Sequence, residues 1–350
     1  MTDVEALDQR AAASAMYREA ESAGWLVARQ LIANAPAAAA LGEALRARPP
    51  RAVITCARGS SDHAATFAKY VIETRTGVPT VSAAPSITSL YRADQFLSGC
   101  LYLAISQSGR SPDLLAAVES ASKAGATVVA LCNDPEAPLN ALAHHALPLG
   151  AGPERSVAAT KSYVASLAAL LQMTAAWTGD ADLHTALASL PAGLDAAWRA
   201  DWDAALDVLT EARHLYVIGR GPGLGIAQEA ALKCKETCAL HAEAFSAAEV
   251  RHGPQALLGP DFPALLLAQD DPTRAGLEAL AAELAARGVP VLLAGGRAPG
   301  AIELPVPTAD PAIEPVLRVA SVYRLLARLA LRRGVDPDRP PHLRKVTETV

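Results

Sequence analysis

A short apolar run that ends in small and polar residues recurs along the chain, and its copies in the two halves stand at an almost constant distance. RAVITCARGSS (51–61), GCLYLAISQSG (99–109) and ATVVALCND (126–134) are answered by HLYVIGRGPG (214–223), DFPALLLAQDD (261–271) and GVPVLLAGG (288–296). Gly221 lies 162 residues after Gly59, Gln269 lies 162 after Gln107, and Gly288 lies 163 after Gly125. Helix-like stretches such as DLLAAVESASKAG separate the runs, and strands alternating with helices make a parallel α/β sheet. The repeat therefore predicts two tandem doubly wound sheets in flavodoxin-like α/β/α layers. Each would carry its ligand sites at the carboxyl ends of its strands. The expected divisions are a helical lead-in over 1–48, the first α/β domain over 49–180, the second over 200–335 and a tail over 336–350. The region from about 160 to 210 reads as helical connection. Within the lead-in, 16–47 reads as two amphipathic helices broken near Asn34-Ala35-Pro36.

At 350 residues and 51% hydrophobic content, the chain can bury a large core. Its net charge of −5 argues against a nucleic-acid surface, which needs clustered Lys and Arg. No apolar run is long enough to cross a membrane, and MTDVEALDQR has acids where a signal peptide has a basic region. The five cysteines (56, 100, 132, 234 and 238) are odd in number and form no C-x-x-C. That pattern fits a reducing cytoplasm, with thiols as small core residues. No metal and no cofactor are expected, since there is neither H-E-x-x-H nor a cysteine cluster.

GRGPGLG (219–225) fails the dinucleotide pattern G-x-G-x-x-G, because Leu224 or Ile226 falls where the last Gly should be. It reads instead as a tight strand-to-helix turn. SQSGRS (106–111) is more informative: three hydroxyls, an amide and a Gly stand where a strand ends and a helix begins. Exposed N–H groups and the helix dipole favour an anion there. An ordinary N-cap would need only one Ser. No G-K-[ST] follows, so the loop suits the monoester of a small molecule rather than a nucleotide. GSSD (59–62) occupies the corresponding end of the first strand, and ERSVAATKS (154–162) puts Glu154 and Thr160 into a third loop or a polar helix entry. In LKCKETCALHAEAFSAAEVRHGP (232–254), Lys233 and Glu236 share one helix face at i, i+3, and His252 follows before a Gly-Pro stop. Spacing alone leaves this pair as either a solvated face or an acid/base array.

Taken together, ISQSGRSPD, ERSVAATKS, GRGPGLGIAQEAALKCKE, HAEAFSAAEVRHGP and the C-terminal LRKVTETV resemble the sugar isomerase (SIS) domain family. The likeness runs from about Met16 to Val350 and is closest to the isomerase half of the glutamine–fructose-6-phosphate aminotransferases. Those synthases carry an N-terminal glutaminase domain with a Cys nucleophile, whereas no Cys occurs here before Cys56. The resemblance therefore implies the reverse direction, as in SIS-type glucosamine-6-phosphate deaminases: glucosamine 6-phosphate to fructose 6-phosphate and ammonia.

Residue by residue, the resemblance implies a phosphate loop at Ser106, Gln107, Ser108 and Ser111, and a sugar contact at Ser61, with Ser60 in place of the family's Thr. It implies a carboxylate at Glu154 and backbone contacts at Val157. Thr160 follows, but Ala159 replaces a family Ser. Glu236 would shuttle the C2–C1 proton with Lys233 beside it, His252 would open the ring, and Lys345 would be the tail lysine. It also implies a homodimer in which His252 reaches the neighbouring subunit's sugar, with apolar helices around 16–47 and 310–333 as interface material. A fructosamine 6-phosphate deglycase, a galactosamine-6-phosphate deaminase and a non-catalytic sugar-phosphate sensor stay open as alternatives.

Overall fold

The structure, a computed structural model, describes residues 3–343 and 345. Among these, two five-stranded sheets form, both entirely parallel. The first contains β1 (Val53–Cys56), β2 (Thr80–Ser82), β3 (Leu101–Ser106), β4 (Thr127–Cys132) and β5 (His145–Ala146), in the order β2-β1-β3-β4-β5. The second contains β6 (His214–Gly219), β7 (His241–Ser246), β8 (Ala264–Leu267), β9 (Val291–Ala294) and β10 (Ile302–Leu304), in the order β7-β6-β8-β9-β10. The two successions are the same, so the repeat seen as sequence spacing is a repeat of topology. In each sheet the order reverses beside the first strand, between β1 and β3 and between β6 and β8. That is where a doubly wound sheet opens a crevice for a ligand.

Two compact units divide the chain. One takes 25–154 and 161–188; the other takes 1–24, 155–160 and 189–345. In the first, β3 is buried at every position because helices cover both faces of a parallel sheet. Its core gathers Tyr102, Ala104, Val118, Val128 and Leu139. The Lys161–Thr178 helix is buried almost all round, as an evenly apolar helix must be. In the second unit the core gathers Ile218, Leu266, Leu277, Leu284 and Leu293.

The expected break at Asn34-Ala35-Pro36 is absent. Helix Ala23–Ala47 runs straight through Pro36, and the interruption falls at Ser22, which caps Ala15–Glu21. Pro36 faces solvent, so water can take the carbonyl that its missing N–H leaves unpaired, and the alanines on either side keep the helix going. The Glu314–Arg332 helix is buried along nearly its whole length, so it offers no free face for a partner. Four of the cysteines are buried and Cys100 is half-buried, all five unbridged. No described helix is long and apolar enough to cross a membrane.

Candidate active site

In the first unit, the loops after β1 and β3 lie at the crevice between those neighbouring strands. Ser106 closes β3, and its Oγ accepts the Gly109 N–H at 2.9 Å, leaving the hydroxyl proton to donate elsewhere. Gly109 has φ +59, and a Cβ there would come within 2.6 Å of both Ala137 Cβ and Cys132 Sγ. The tight turn therefore needs glycine. Gln107, Ser108 and Ser111 are partly exposed, and Ser111 is the N-cap of Pro112–Lys123 without using its side chain to cap.

The GSSD loop starts the Ser60–Thr76 helix, with Ser61 half-buried in its first turn. Arg58, just ahead of it, donates from Nη2 at 2.9 Å and Nε at 3.2 Å to Oδ2 of buried Asp113, in the first turn of the Pro112–Lys123 helix. This pair ties the β1 loop to the β3 loop. Arg110 makes a similar fork to Asp134, with Nη2 at 2.8 Å and Nε at 3.1 Å. That bond and the Glu136 backbone N–H hold the Asp134 carboxyl below the usual range. Glu154 accepts the Ser162 N–H at 3.2 Å and the Ser162 hydroxyl at 2.7 Å, which places it as a cap on the Lys161–Thr178 helix.

In the second unit, Val157 and Thr160 belong to a short segment held by Glu19, whose carboxylate accepts the N–H groups of Arg155 and Ser156. Thr160 is buried and Val157 half-buried.

The stretch 232–254 is a helix end, a strand and a turn. Helix Gly223–Cys238 stops where Ala239 adopts φ +48, and β7 and a short Ala247–Val250 helix follow. On that first helix, Lys233 is only 1% exposed. Its Nζ donates to Glu236 Oε2 at 2.6 Å and sits 3.4 Å from Glu229 Oε1, which also accepts the Tyr323 hydroxyl at 2.9 Å. Burial alone would lower the Lys233 pKa, but the two carboxylates override it and hold the ammonium above its ordinary range. Lys233 is therefore a fixed positive charge. The Glu236 side chain keeps 22% of its exposure, and its Oε1 has no hydrogen-bond partner among the described residues. The geometry gives an anchored carboxylate with one oxygen available, next to a cation able to stabilise an enolate.

His252 is exposed on the turn after Ala247–Val250, its N–H bonded to the Glu249 carbonyl. Lys345 is half-buried in a bend, while Arg344 and 346–350 of the LRKVTETV motif lie outside the described residues.

Sequence reasoning missed Glu229, Tyr323, Arg58, Asp113 and Glu19. Glu229 carried a readable signal, because Glu229, Lys233 and Glu236 stand at i, i+4 and i+7 on one helix face. The other four depend on contacts between distant parts of the chain. GRGPGLG is the expected strand-to-helix turn: a Cβ on Gly219 would fall 2.3 Å from Gly223 O, and one on Gly223 would fall 2.6 Å from Gln269 Oε1.

The SIS domain family model matches residues 48–176 and 208–294. Glutamine–fructose-6-phosphate aminotransferase [isomerizing] of Thermotoga maritima is 32% identical over 311 residues, covering 84% of this chain and 50% of that protein. The chain thus spans about half the length of the curated relatives it matches. Among solved structures, a candidate phosphosugar isomerase from Silicibacter pomeroyi DSS-3 superposes with a TM-score of 0.90 at 41% identity, covering 93% of this chain and all of that one. The C-terminal domain of glucosamine-fructose-6-phosphate aminotransferase from Francisella tularensis gives 0.84 at 26% identity, covering 94% and 98%. The chain belongs to the SIS domain family, as a homologue of the isomerase half of glutamine–fructose-6-phosphate aminotransferase.

Proposed function

We propose that the protein is a sugar-phosphate aldose–ketose isomerase that releases ammonia, converting glucosamine 6-phosphate to fructose 6-phosphate. The observation that carries this reading is the Glu229–Lys233–Glu236 array, in which a buried ammonium anchors a carboxylate that keeps one oxygen available. In the proposed reaction the hydroxyls of Ser106, Ser108 and Ser111 take the phosphoryl group with Gln107, and Ser61 contacts the sugar. His252 moves the proton between O1 and O5 that opens the ring, since an imidazole can both accept and donate one. Glu236 then removes the C2 proton and returns it to C1, leaving a C2 imine. Water adds to the imine, ammonia leaves, and the ketose remains.

Lys233, held cationic, stabilises the enolate-like intermediate, and Lys345 supplies a second positive charge. Glu154, Val157 and Thr160 shape the wall of the sugar pocket, Glu154 through its cap on the helix. The working form is a homodimer with His252 offered to the neighbouring subunit. Its exposed position and the exposed Trp25 and Ile32 on Ala23–Ala47 support that reading.

The test is ammonia release from glucosamine 6-phosphate, galactosamine 6-phosphate and fructoselysine 6-phosphate, with fructose 6-phosphate followed as product. Release from the first, undiminished by EDTA, is expected. Silence on all three, with no aldose–ketose exchange, would overturn the proposal. Ser108→Ala should weaken fructose 6-phosphate binding by about 1.5–3 kcal/mol, the worth of one charge-assisted bond. Unchanged affinity would remove 106–111 as the phosphate site.

A further inference from the structure

The second unit has its own crevice between β6 and β8, and it is filled. Gln269, the repeat partner of Gln107, is 1% exposed, and its Nε2 donates to Arg220 O at 2.9 Å, Asp271 Oδ2 at 3.0 Å and Thr273 Oγ1 at 3.0 Å. Beyond it, past the carboxyl ends of β8, β9 and β10, opens a cleft of about 490 Å³ lined by Arg274, Arg297, Glu303, Thr308, Glu314 and Arg318 among others. That volume suits a small metabolite.

Arg318 is the unusual member. It is 2% exposed, and only its Nε has a hydrogen-bond acceptor, Ala268 O at 3.2 Å. Nη1 has no hydrogen-bond partner, Nη2 has only the ion pair with Glu314 Oε2 at 3.3 Å, and Arg274 is a second charge close by. Glu314 already spends that oxygen on the Asp270 N–H at 2.7 Å. Burial pulls the Arg318 guanidinium below its usual range; Glu314 offsets part of the fall and Arg274 adds to it. The backbone is shaped to admit this side chain. Gly295 has φ +81, and a Cβ there would meet Ala268 O at 2.4 Å and Arg318 Nη2 at 2.6 Å.

A buried guanidinium at the wall of a cleft, with no acceptor at Nη1 and only a long ion pair at Nη2, is expensive unless something more accepts from it. We propose that this cleft is a second ligand site, in which the Arg318 fork takes the oxyanion of a small molecule in a bidentate grip. The charged lining is three arginines (274, 297, 318) against three acids (Asp270, Glu303, Glu314), so a polyanion gains nothing there. The fitting ligand has one carboxylate or phosphate-monoester group on a body carrying hydroxyl or ammonium donors for the acids. This assignment stands apart from the proposed reaction and does not depend on it.

The test uses the full chain. In crystals soaked with selenate, an anomalous peak is expected within hydrogen-bond reach of Arg318 Nη1 and Nη2. Its absence overturns the proposal, whether or not the 106–111 loop is occupied. Calorimetry then separates the two sources of such an oxyanion, with glucosamine 6-phosphate (on Glu236→Gln, to block turnover) in one arm and L-glutamate in the other. At least one should show a binding event that Arg318→Lys weakens tenfold or more. Thr308→Trp, on the exposed loop at the cleft, should do the same by filling the space, and it stands in if Arg318→Lys does not fold. If neither compound binds, or if Thr308→Trp leaves every binding event unchanged, the cleft is not a ligand site.

Discussion

A lysine as buried as Lys233 would ordinarily give up its proton, and only the paired carboxylates of Glu229 and Glu236 keep it charged. The sign of the resulting pH dependence follows directly. The folded-state pKa stands above the ordinary 10.5, so the array contributes its full stability below that value and loses it as pH rises through the folded one. Denaturant midpoints should therefore show no loss traceable to Lys233 between about pH 8 and 10, and a fall only above the ordinary lysine range. An earlier fall, absent in Lys233→Met, would mean that the amine is not held cationic. Lys233→Met itself leaves Glu229 buried without its counter-charge and should cost about 3–5 kcal/mol. A charged amine is also a poor nucleophile, so Lys233 forms no Schiff base in the proposed cycle. Glu236→Gln keeps the size of the side chain but cannot accept a proton. It should lower kcat by roughly 10²–10⁴-fold with a smaller change in KM, and should stop incorporation of solvent deuterium at C1. Near-parental turnover would mean that another group is the base.

At the scale of the element, the Gly223–Cys238 helix carries the array, and how it ends matters. It stops on Ala239 at φ +48, a left-handed conformation that costs a residue with a Cβ about 1–2 kcal/mol. Ala239→Gly removes that cost and should raise the unfolding free energy by roughly 0.5–1 kcal/mol, read as a higher denaturant midpoint with an unchanged m value. No gain, or a loss, would show that Ala239 is unstrained. The inner strands were legible because burial on both faces makes each an unbroken apolar run, as in LYLAIS and ALLL. The edge strands were not. TVS and HAEAFS are paired on one side only and need no such run, so their composition reads as turn or helix. The helix through Pro36 was misread because its exposed position lets water take the orphaned carbonyl, which lessens one of a proline's two costs, and sequence does not show which face meets water. Lys233 and Glu236 were legible as neighbours on one helix face. Tyr323, which orients Glu229 from 94 residues away, was not, because nothing local marks a long-range hydroxyl.

Across the whole molecule, one fold appears twice with its two crevices treated differently. After β3 the repeat keeps a hydroxyl-rich loop with Gln107 partly exposed, whereas after β8 the matching Gln269 turns inward and fills the space. The two halves thus differ at the matching position, and in the proposed reaction one supplies the phosphate loop and the other the helix bearing Lys233 and Glu236. His252 belongs to neither crevice. It projects from an exposed turn, where solvent would compete for any substrate proton it handles. An exposed acid/base group becomes effective when a second surface covers it, and the proposed homodimer provides one. Mixing inactive Glu236→Gln and His252→Asn chains tests this. If the two residues serve one site from different chains, each mixed dimer holds one doubly damaged site and one intact site. Random exchange should then restore about a quarter of parental activity, since half of the dimers are mixed and each has one working site of two. If both residues act within one chain, every site in every dimer keeps one lesion and activity stays at the level of the single variants. Verified subunit exchange without recovery would therefore return His252 to its own chain's substrate.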